Sequence, residues 1–527
     1  MQMFTNKNSK SNKTLKGNVY QIFFIKCEKN GQIDASRINI LDFFIMKYNF
    51  CSVDRILYKT FILLLLLRKT EMAKANMVGA LPTSRIGQKK LLLLMSIVAI
   101  TFMIDSQIGY IADFIPERLA TNEGITLFIG IAVVFAVGGI LILRYVKAKS
   151  KESHARALHL HATHLGVTIA FYVLIANIAF VIAQILITSQ YNTVTLAVAL
   201  SISYGLWIIT LALLSRAFLS WFISSRRNVT VSKRNVMVLI LALSMIAYVV
   251  NGMTGLTYAF TVLQQQLEVV TSADVAYFPE FDEGSFSSQI DTMNSIASGT
   301  AYVLTWIGTV MLLRPYIQRI GKIKFYAIMG AAMVYYLIEF PLFVLGYFTP
   351  TGESDVEVMN NILIFGIASV LSGIIFGAAF LSVARTLQKD SALREYMIIA
   401  VYGLLLFYIA GTAAATQAAY PPFGLASVSF TGLACYLIYA GLYSSAITVS
   451  QDLGLRQSIR QSVMDQSKFL DSMGTAQMEG ELQTRVLNTA KIASDSMAEE
   501  TGVESSMSED DMKDYMEIVM NELKDKR

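Results

Sequence analysis

Long apolar segments alternate with short polar gaps between residues 91 and 450. Each segment holds about 20 residues, the length that an α-helix needs to cross the hydrocarbon core of a bilayer. The approximate bounds of the ten predicted spans are 91–115, 126–146, 165–188, 193–215, 235–263, 293–313, 325–348, 361–384, 396–419 and 424–450. The pattern therefore predicts an all-α integral membrane protein built as a ten-transmembrane-helix bundle.

Lys and Arg are sorted between the gaps of this pattern. All but one of those between residues 91 and 450 lie in every second gap. The basic gaps are Arg144–Arg156, Arg216–Arg234, Arg314–Lys324 and Arg385–Arg394. Short loops rich in Lys and Arg stay on the cytoplasmic side, so the sorting predicts a cell-membrane protein with both termini in the cytoplasm.

The composition agrees with a membrane protein. Hydrophobic residues make up 54% of the chain and charged residues 15%, whereas soluble proteins are about 25% charged. The three cysteines, Cys27, Cys51 and Cys435, are too few and too scattered for a disulfide framework or a thiolate metal site. No nucleotide-binding, hydrolase, zinc-protease or kinase motif is present. We therefore predict no cofactor and no nucleic acid partner. The lack of catalytic motifs also disfavours an enzyme.

The segments outside the apolar pattern differ from it in composition. Residues 1–71 are rich in Lys, Asn, Ile and Phe. They indicate either a poorly ordered basic leader or an over-extended gene start, and we favour the second interpretation. The predicted order is then a cytoplasmic segment at 72–90, the transmembrane domain at 91–450 and a cytoplasmic amphipathic helical tail at 451–527.

The tail is predicted to end in an amphipathic helix at about 509–525. Ser508 begins a capping signal there, with Asp511 three residues later. The apolar face recurs at helical spacing and consists of Met512, Tyr515, Met516, Val519, Met520 and Leu523. The polar face is acidic, which disfavours an anionic membrane surface. Besides the lipid bilayer, we therefore expect a protein partner or self-association through the C-terminal helices.

Polar residues recur at one depth inside the predicted spans. Asp105 lies as far along the chain from Lys90 as Glu339 lies from Lys324, so the two carboxyls share a depth. Asn177 and Asn251 lie at a comparable depth. Because no basic residue lies mid-span, we expect at least one carboxyl to be protonated or to face a hydrated cavity. The alternative is that each group forms private hydrogen bonds with a neighbouring helix.

All 4 histidines lie close together, at His154, His159, His161 and His164. On a helix, three of them, His154, His161 and His164, fall within an arc of about 80°. Three neutral imidazoles on one face could bind Zn or Cu. The neighbouring Lys and Arg would repel a cation, so a pH-sensitive patch and a plain helix start are the alternatives, and the plain helix start is favoured.

Three classes of function stay open at this point. A sensor, signal relay or scaffold that acts through the cytoplasmic tail is favoured, because it accounts for a tail that a simple carrier does not need. The main alternative is a proton- or cation-coupled secondary transporter that uses Asp105 and Glu339. An intramembrane enzyme has the least support.

Overall fold

The computed structural model describes residues 88–111, 119–153, 158–226, 235–271, 284–331, 333, 355–387, 391–411, 419–451 and 465–501. About 90% of the described structure is helical. In chain order the elements are α1 (Gln88–Ile111), α2 (Asn122–Ser153), α3 (Leu158–Thr188), β1 (Gln190–Asn192), α4 (Val194–Arg226), α5 (Asn235–Leu263), β2 (Val269–Thr271), α6 (Phe286–Leu313), α7 (Ile317–Ile320), α8 (Lys322–Ala331), α9 (Asp355–Thr386), α10 (Ala392–Ala410), α11 (Leu425–Gln451) and α12 (Asp465–Thr501).

Among the described residues, 8 helices are long and apolar enough to cross a membrane. They are α2, α3, α4, α5, α6, α9, α10 and α11, and each corresponds to one predicted span. The apolar part of α1, Leu93–Gly109, is shorter. Most of the seventh predicted span, 325–348, lies outside the described residues. The chain is therefore a multi-pass helical membrane protein, and the count of ten spans stays a prediction.

Several helices have bounds that differ from the predicted spans. The helix α3 begins at Leu158, α4 continues to Arg226 and α6 begins at Phe286, each several residues beyond the apolar segment. Polar residues lower the local hydropathy without breaking a helix, so an apolar window ends before the helix does. In contrast, α10 ends at Ala410, well before its predicted end at 419.

The helix α11 lies at the centre of the bundle, and the most apolar stretch of this helix is 100% buried. It packs against α1, α2, α3, α4, α10 and α12. Near its start, the ring of Phe430 contacts Phe102 of α1, Phe135 of α2 and Phe171 of α3 at centroid distances of 4.6, 6.1 and 6.3 Å. Neighbouring helices therefore enclose α11 where other helices of the bundle face lipid.

Small residues bring α10 and α11 close together. A Cβ at Gly441 would lie 2.6 Å from the backbone nitrogen of Ala400, and a Cβ at Gly403 would lie 2.7 Å from that of Ile438. Real Cβ atoms essentially never approach other atoms to less than 3.0 Å. The distance between these two helices therefore depends on glycine at both positions.

A short antiparallel sheet lies at the end of the bundle where α11 begins. Strand β1 pairs with β2, and Tyr191 stands opposite Val270. The buried Tyr191 hydroxyl donates a hydrogen bond to the Ala419 carbonyl at 2.7 Å. Burial raises the pKa of this phenol well above its usual range, so the proton that the bond requires is retained. The sheet thereby holds the segment that leads into α11.

Different contacts join the helices at the opposite end of the bundle. Lys149 of α2 forms an ion pair with Glu395 of α10 at 2.7 Å. The Tyr396 hydroxyl donates to the Lys149 carbonyl at 2.8 Å. The helix α12 also packs at this end, where α11 terminates. Neighbouring helices therefore alternate in direction, as a bundle of consecutive membrane crossings requires.

We expect Gly441→Ala to destabilise the protein by about 1–3 kcal/mol, because the new methyl group overlaps the α10 backbone. The matched control is Gly205→Ala in α4, where a Cβ meets nothing within 4 Å. Unfolding with increasing SDS in mixed micelles measures both changes. Equal stability of the two variants would contradict the close approach of α10 and α11.

Candidate functional site

The carboxylate of Asp105 in α1 caps the first turn of α11. One oxygen, Oδ1, accepts a hydrogen bond from the Gly424 N–H at 2.9 Å. The other, Oδ2, accepts from the Ser427 N–H at 2.9 Å and from the Ser427 hydroxyl at 2.7 Å. The side chain of Asp105 is 0% exposed. A residue of one helix therefore serves as the N-terminal cap of another.

The start of α11 needs such a cap because it is buried. The first N–H groups of a helix have no partner within the helix, and a carboxylate both accepts from them and stabilises the positive end of the helix dipole. Gly424 has a φ of +85°, which side-chain-bearing residues rarely adopt. Gly109 allows α1 to approach, since a Cβ there would lie 3.1 Å from the Phe423 carbonyl oxygen.

The other residues of the predicted polar layer have separate surroundings. Asn177 of α3 donates from Nδ2 to the Thr195 carbonyl at 2.8 Å. Asn251 is half-buried on α5. Glu339 lies outside the described residues. No hydrogen bond among the described contacts joins Asp105 to Asn177 or Asn251, and the described hydrogen bonds of Asp105 and Asn177 are made to separate neighbours.

The predicted histidine group is only partly described. His164 is buried, and its Nδ1 lies 2.8 Å from the Tyr436 hydroxyl of α11. His161 is exposed, and His154 lies outside the described residues. Within the part of the chain that the structure describes, no three His, Cys, Asp or Glu side chains could hold a metal ion together. The geometry of His164 indicates a contact between α3 and the central helix.

The helix α12 docks its first half on the bundle, where α11 ends. Leu470 and Met473 are fully buried. The indole N–H of Trp221 in α4 donates to Gln477 Oε1 at 3.0 Å. Leu470 and Met473 are three residues apart and so lie on one face of the helix, but this spacing does not identify the surface that they contact. The predicted final helix, with Met512 to Leu523 on its apolar face, lies outside the described residues.

Two sets of hydrogen-bonded hydroxyl groups join α5, α6, α9 and α10, and the sequence reasoning missed them. Ser244 of α5 is 2.5 Å from the Thr305 hydroxyl of α6. Thr305 also donates to the Tyr248 hydroxyl, which is hydrogen-bonded to the Tyr408 hydroxyl of α10. Tyr302 of α6 bonds Ser372 of α9 at 2.6 Å. Isolated hydroxyl residues are common in membrane helices, so spacing alone did not distinguish these.

The described helices define a multi-pass helical membrane protein, with a capped central helix and a docked tail helix. A comparison with known proteins finds no matching family model, no similar curated protein and no similar solved structure. The function therefore has to be argued from the geometry around α11.

We expect Asp105→Ala to destabilise the protein by about 2–3 kcal/mol, because the N–H groups of Gly424 and Ser427 lose their acceptors in a buried place. Glu123→Gln is the control, since Glu123 is an exposed acid in the first turn of α2 and its loss should cost less than about 0.5 kcal/mol. SDS unfolding in mixed micelles measures both. Wild-type stability of Asp105→Ala would contradict the role of this carboxylate as a cap.

Proposed function

We propose that this protein relays a signal across the cell membrane to its C-terminal tail, with α11 as the transmitting helix. The observation that carries the proposal is the burial of the membrane-crossing part of α11 between two specific sets of contacts. At its start α11 receives the Asp105 cap, and near its end it contacts the docked half of α12. A rigid element that contacts two distant sites can couple them energetically.

The proposed topology has ten spans, with both termini in the cytoplasm. The sorting of Lys and Arg between the gaps supports this orientation. Lys149 and Arg226, near the ends of α2 and α4, belong to two of the basic gaps, and Trp221, which bonds the tail helix, lies just before Arg226. In this orientation α12 lies at the cytoplasmic end of α11, where a signal from outside would be delivered.

The second half of α12 supports a protein partner as the recipient of the signal. Leu482, Val486 and Met497 are 46%, 45% and 65% exposed. On a helix they fall within an arc of about 60°, so they form one apolar face. Apolar side chains that share a face and are left in water are typical of interaction surfaces. Residues 451–527 would thus bind a partner while the first half of α12 stays on the bundle.

Proton- or cation-coupled transport has less support from the geometry. Both oxygens of Asp105 accept hydrogen bonds from α11, so the carboxylate already has the donors that stabilise it. A coupling site has to exchange its ion during the transport cycle, whereas a helix cap has to stay in place. The other predicted coupling residue, Glu339, lies outside the described residues. The relay therefore accounts better for Asp105.

The relay can be tested by weakening the Asp105 cap and measuring the docking of α12. In a chain with Cys27, Cys51 and Cys435 replaced by serine or alanine, Met473→Cys places a thiol on the buried face of α12. We expect Asp105→Asn to raise the rate of maleimide labelling at position 473 by at least about fivefold, equivalent to about 1 kcal/mol of undocking.

The control separates coupling from general loss of stability. Thr305→Val removes a hydroxyl from the network between α5 and α6, away from both ends of α11. The two variants are compared at temperatures equally far below their unfolding midpoints. The relay is supported if only Asp105→Asn exposes position 473, and it is wrong if both variants label at the same rate or if neither exceeds the parent.

A further inference from the structure

Acidic side chains in the described apolar helices have very different surroundings. Asp105 accepts three hydrogen bonds, and Glu395 is paired with Lys149. Glu123 is exposed in the first turn of its helix. Asp291 of α6 differs from all of these, because it is half-buried and no described residue forms an ion pair with it. Among the described residues, its carboxylate therefore has no oppositely charged partner.

Aromatic and polar side chains of α4, α5 and α6 lie in the neighbourhood of Asp291. Tyr258 of α5 interacts electrostatically with both Asp291 and Tyr204 of α4. Asn294 lies one turn after Asp291, and its Oδ1 is 3.3 Å from the Thr254 hydroxyl of α5. These five residues, Tyr204, Thr254, Tyr258, Asp291 and Asn294, are here called the Asp291 cluster. All five are half-buried, so the cluster is open to the surroundings of the bundle.

Close packing brings the three helices together at this cluster. A Cβ at Gly255 would lie 3.0 Å from Cε1 of Tyr204 and 3.2 Å from Oδ1 of Asn294. Tyr204 is stacked on Trp207 of its own helix, with ring centroids 5.2 Å apart. Trp207 is buried, and its indole N–H has no acceptor among the described residues. The cluster is thus built on a rigid aromatic pair that has an unused buried donor.

Asp291 is not needed to cap its own helix. The start of α6 is capped by Ser285, whose Oγ accepts from the Ser288 N–H at 3.2 Å. A carboxylate on a membrane-crossing helix is unfavourable without an opposite charge or hydrogen-bond donors. The Asp291 cluster contains no Lys, Arg or His. A bound cation would supply the opposite charge that the described residues of the cluster lack.

The tyrosine rings and the single carboxylate of the cluster indicate which kind of cation it would bind. Ca²⁺ and Mg²⁺ take six or more oxygen ligands, commonly with several carboxylates, and the cluster has one carboxylate. The faces of tyrosine rings instead attract ammonium groups, which are larger and more weakly hydrated. The Asn294 and Thr254 oxygens add acceptors for the hydrogens of an amine.

We propose that the Asp291 cluster binds a small organic ammonium ion, with Asp291 as the counter-charge and Tyr258 and Tyr204 as the cation–π partners. Asp291 lies near the start of α6 and Tyr258 near the end of α5, so the ligand enters at the end of the bundle where α11 begins. The binding site does not depend on the relay, although a bound ligand would provide an input for it.

The test uses the full chain in phosphatidylcholine nanodiscs, titrated with tetramethylammonium chloride against sodium chloride at constant ionic strength. A ligand that binds the folded state raises the unfolding temperature in a saturable way. We expect saturation with tetramethylammonium and a shift in tryptophan fluorescence from Trp207. Asp291→Asn should weaken binding at least about tenfold, whereas the control Glu123→Gln should leave it unchanged.

A pair of variants at Tyr258 separates the ring from the hydroxyl. Tyr258→Phe keeps the ring and should bind within about threefold of wild type, whereas Tyr258→Leu should lose about fivefold. The proposal is overturned if sodium and tetramethylammonium shift the unfolding temperature equally, or if neither gives a saturable shift. Because this comparison uses the wild-type protein, it holds even where a variant fails to fold. Wild-type affinity of a folded Asp291→Asn variant would also overturn it.

Discussion

The helix α11 begins inside the bundle, away from water, and the N–H groups of its first turn therefore have to find acceptors within the protein. Asp105 supplies them from α1. This requirement explains the close approach at Gly109 and the glycine at position 424. It also explains why the segment before α11 is held by the buried Tyr191 hydroxyl, since the cap works only when the start of α11 is in place.

The acidic residues of the bundle have different structural roles, because each carboxylate has different partners. Asp105, Glu395 and Asp291 all lie in apolar helices. Hydrogen bonds make the first a helix cap, and Lys149 makes the second an interhelical ion pair. Asp291 has no oppositely charged partner among the described residues, and it interacts electrostatically with Tyr258. The role of a carboxylate in a membrane helix therefore depends on the groups that surround it.

Much of the fold could be predicted from hydropathy. Eight predicted spans correspond to eight long apolar helices, because about 20 apolar residues in a row have few alternatives to a membrane-crossing helix. The candidate sites were less predictable. Asp105 was singled out as a buried acid, but its partner Ser427 was not. Asp291 precedes the apolar segment that predicts α6, so hydropathy does not place it in the span. The helix itself begins earlier, at Phe286, and therefore includes Asp291.

The sequence by itself determined the class of this protein, the positions of most of its helices and the expected orientation, since these depend on local hydropathy and on the order of charges along the chain. Only the tertiary structure decided that α11 is central, that Asp105 caps it and that α12 docks at its end. The reason is physical. In a membrane both the protein interior and the lipid are apolar, so hydrophobicity cannot distinguish a buried face from an exposed one.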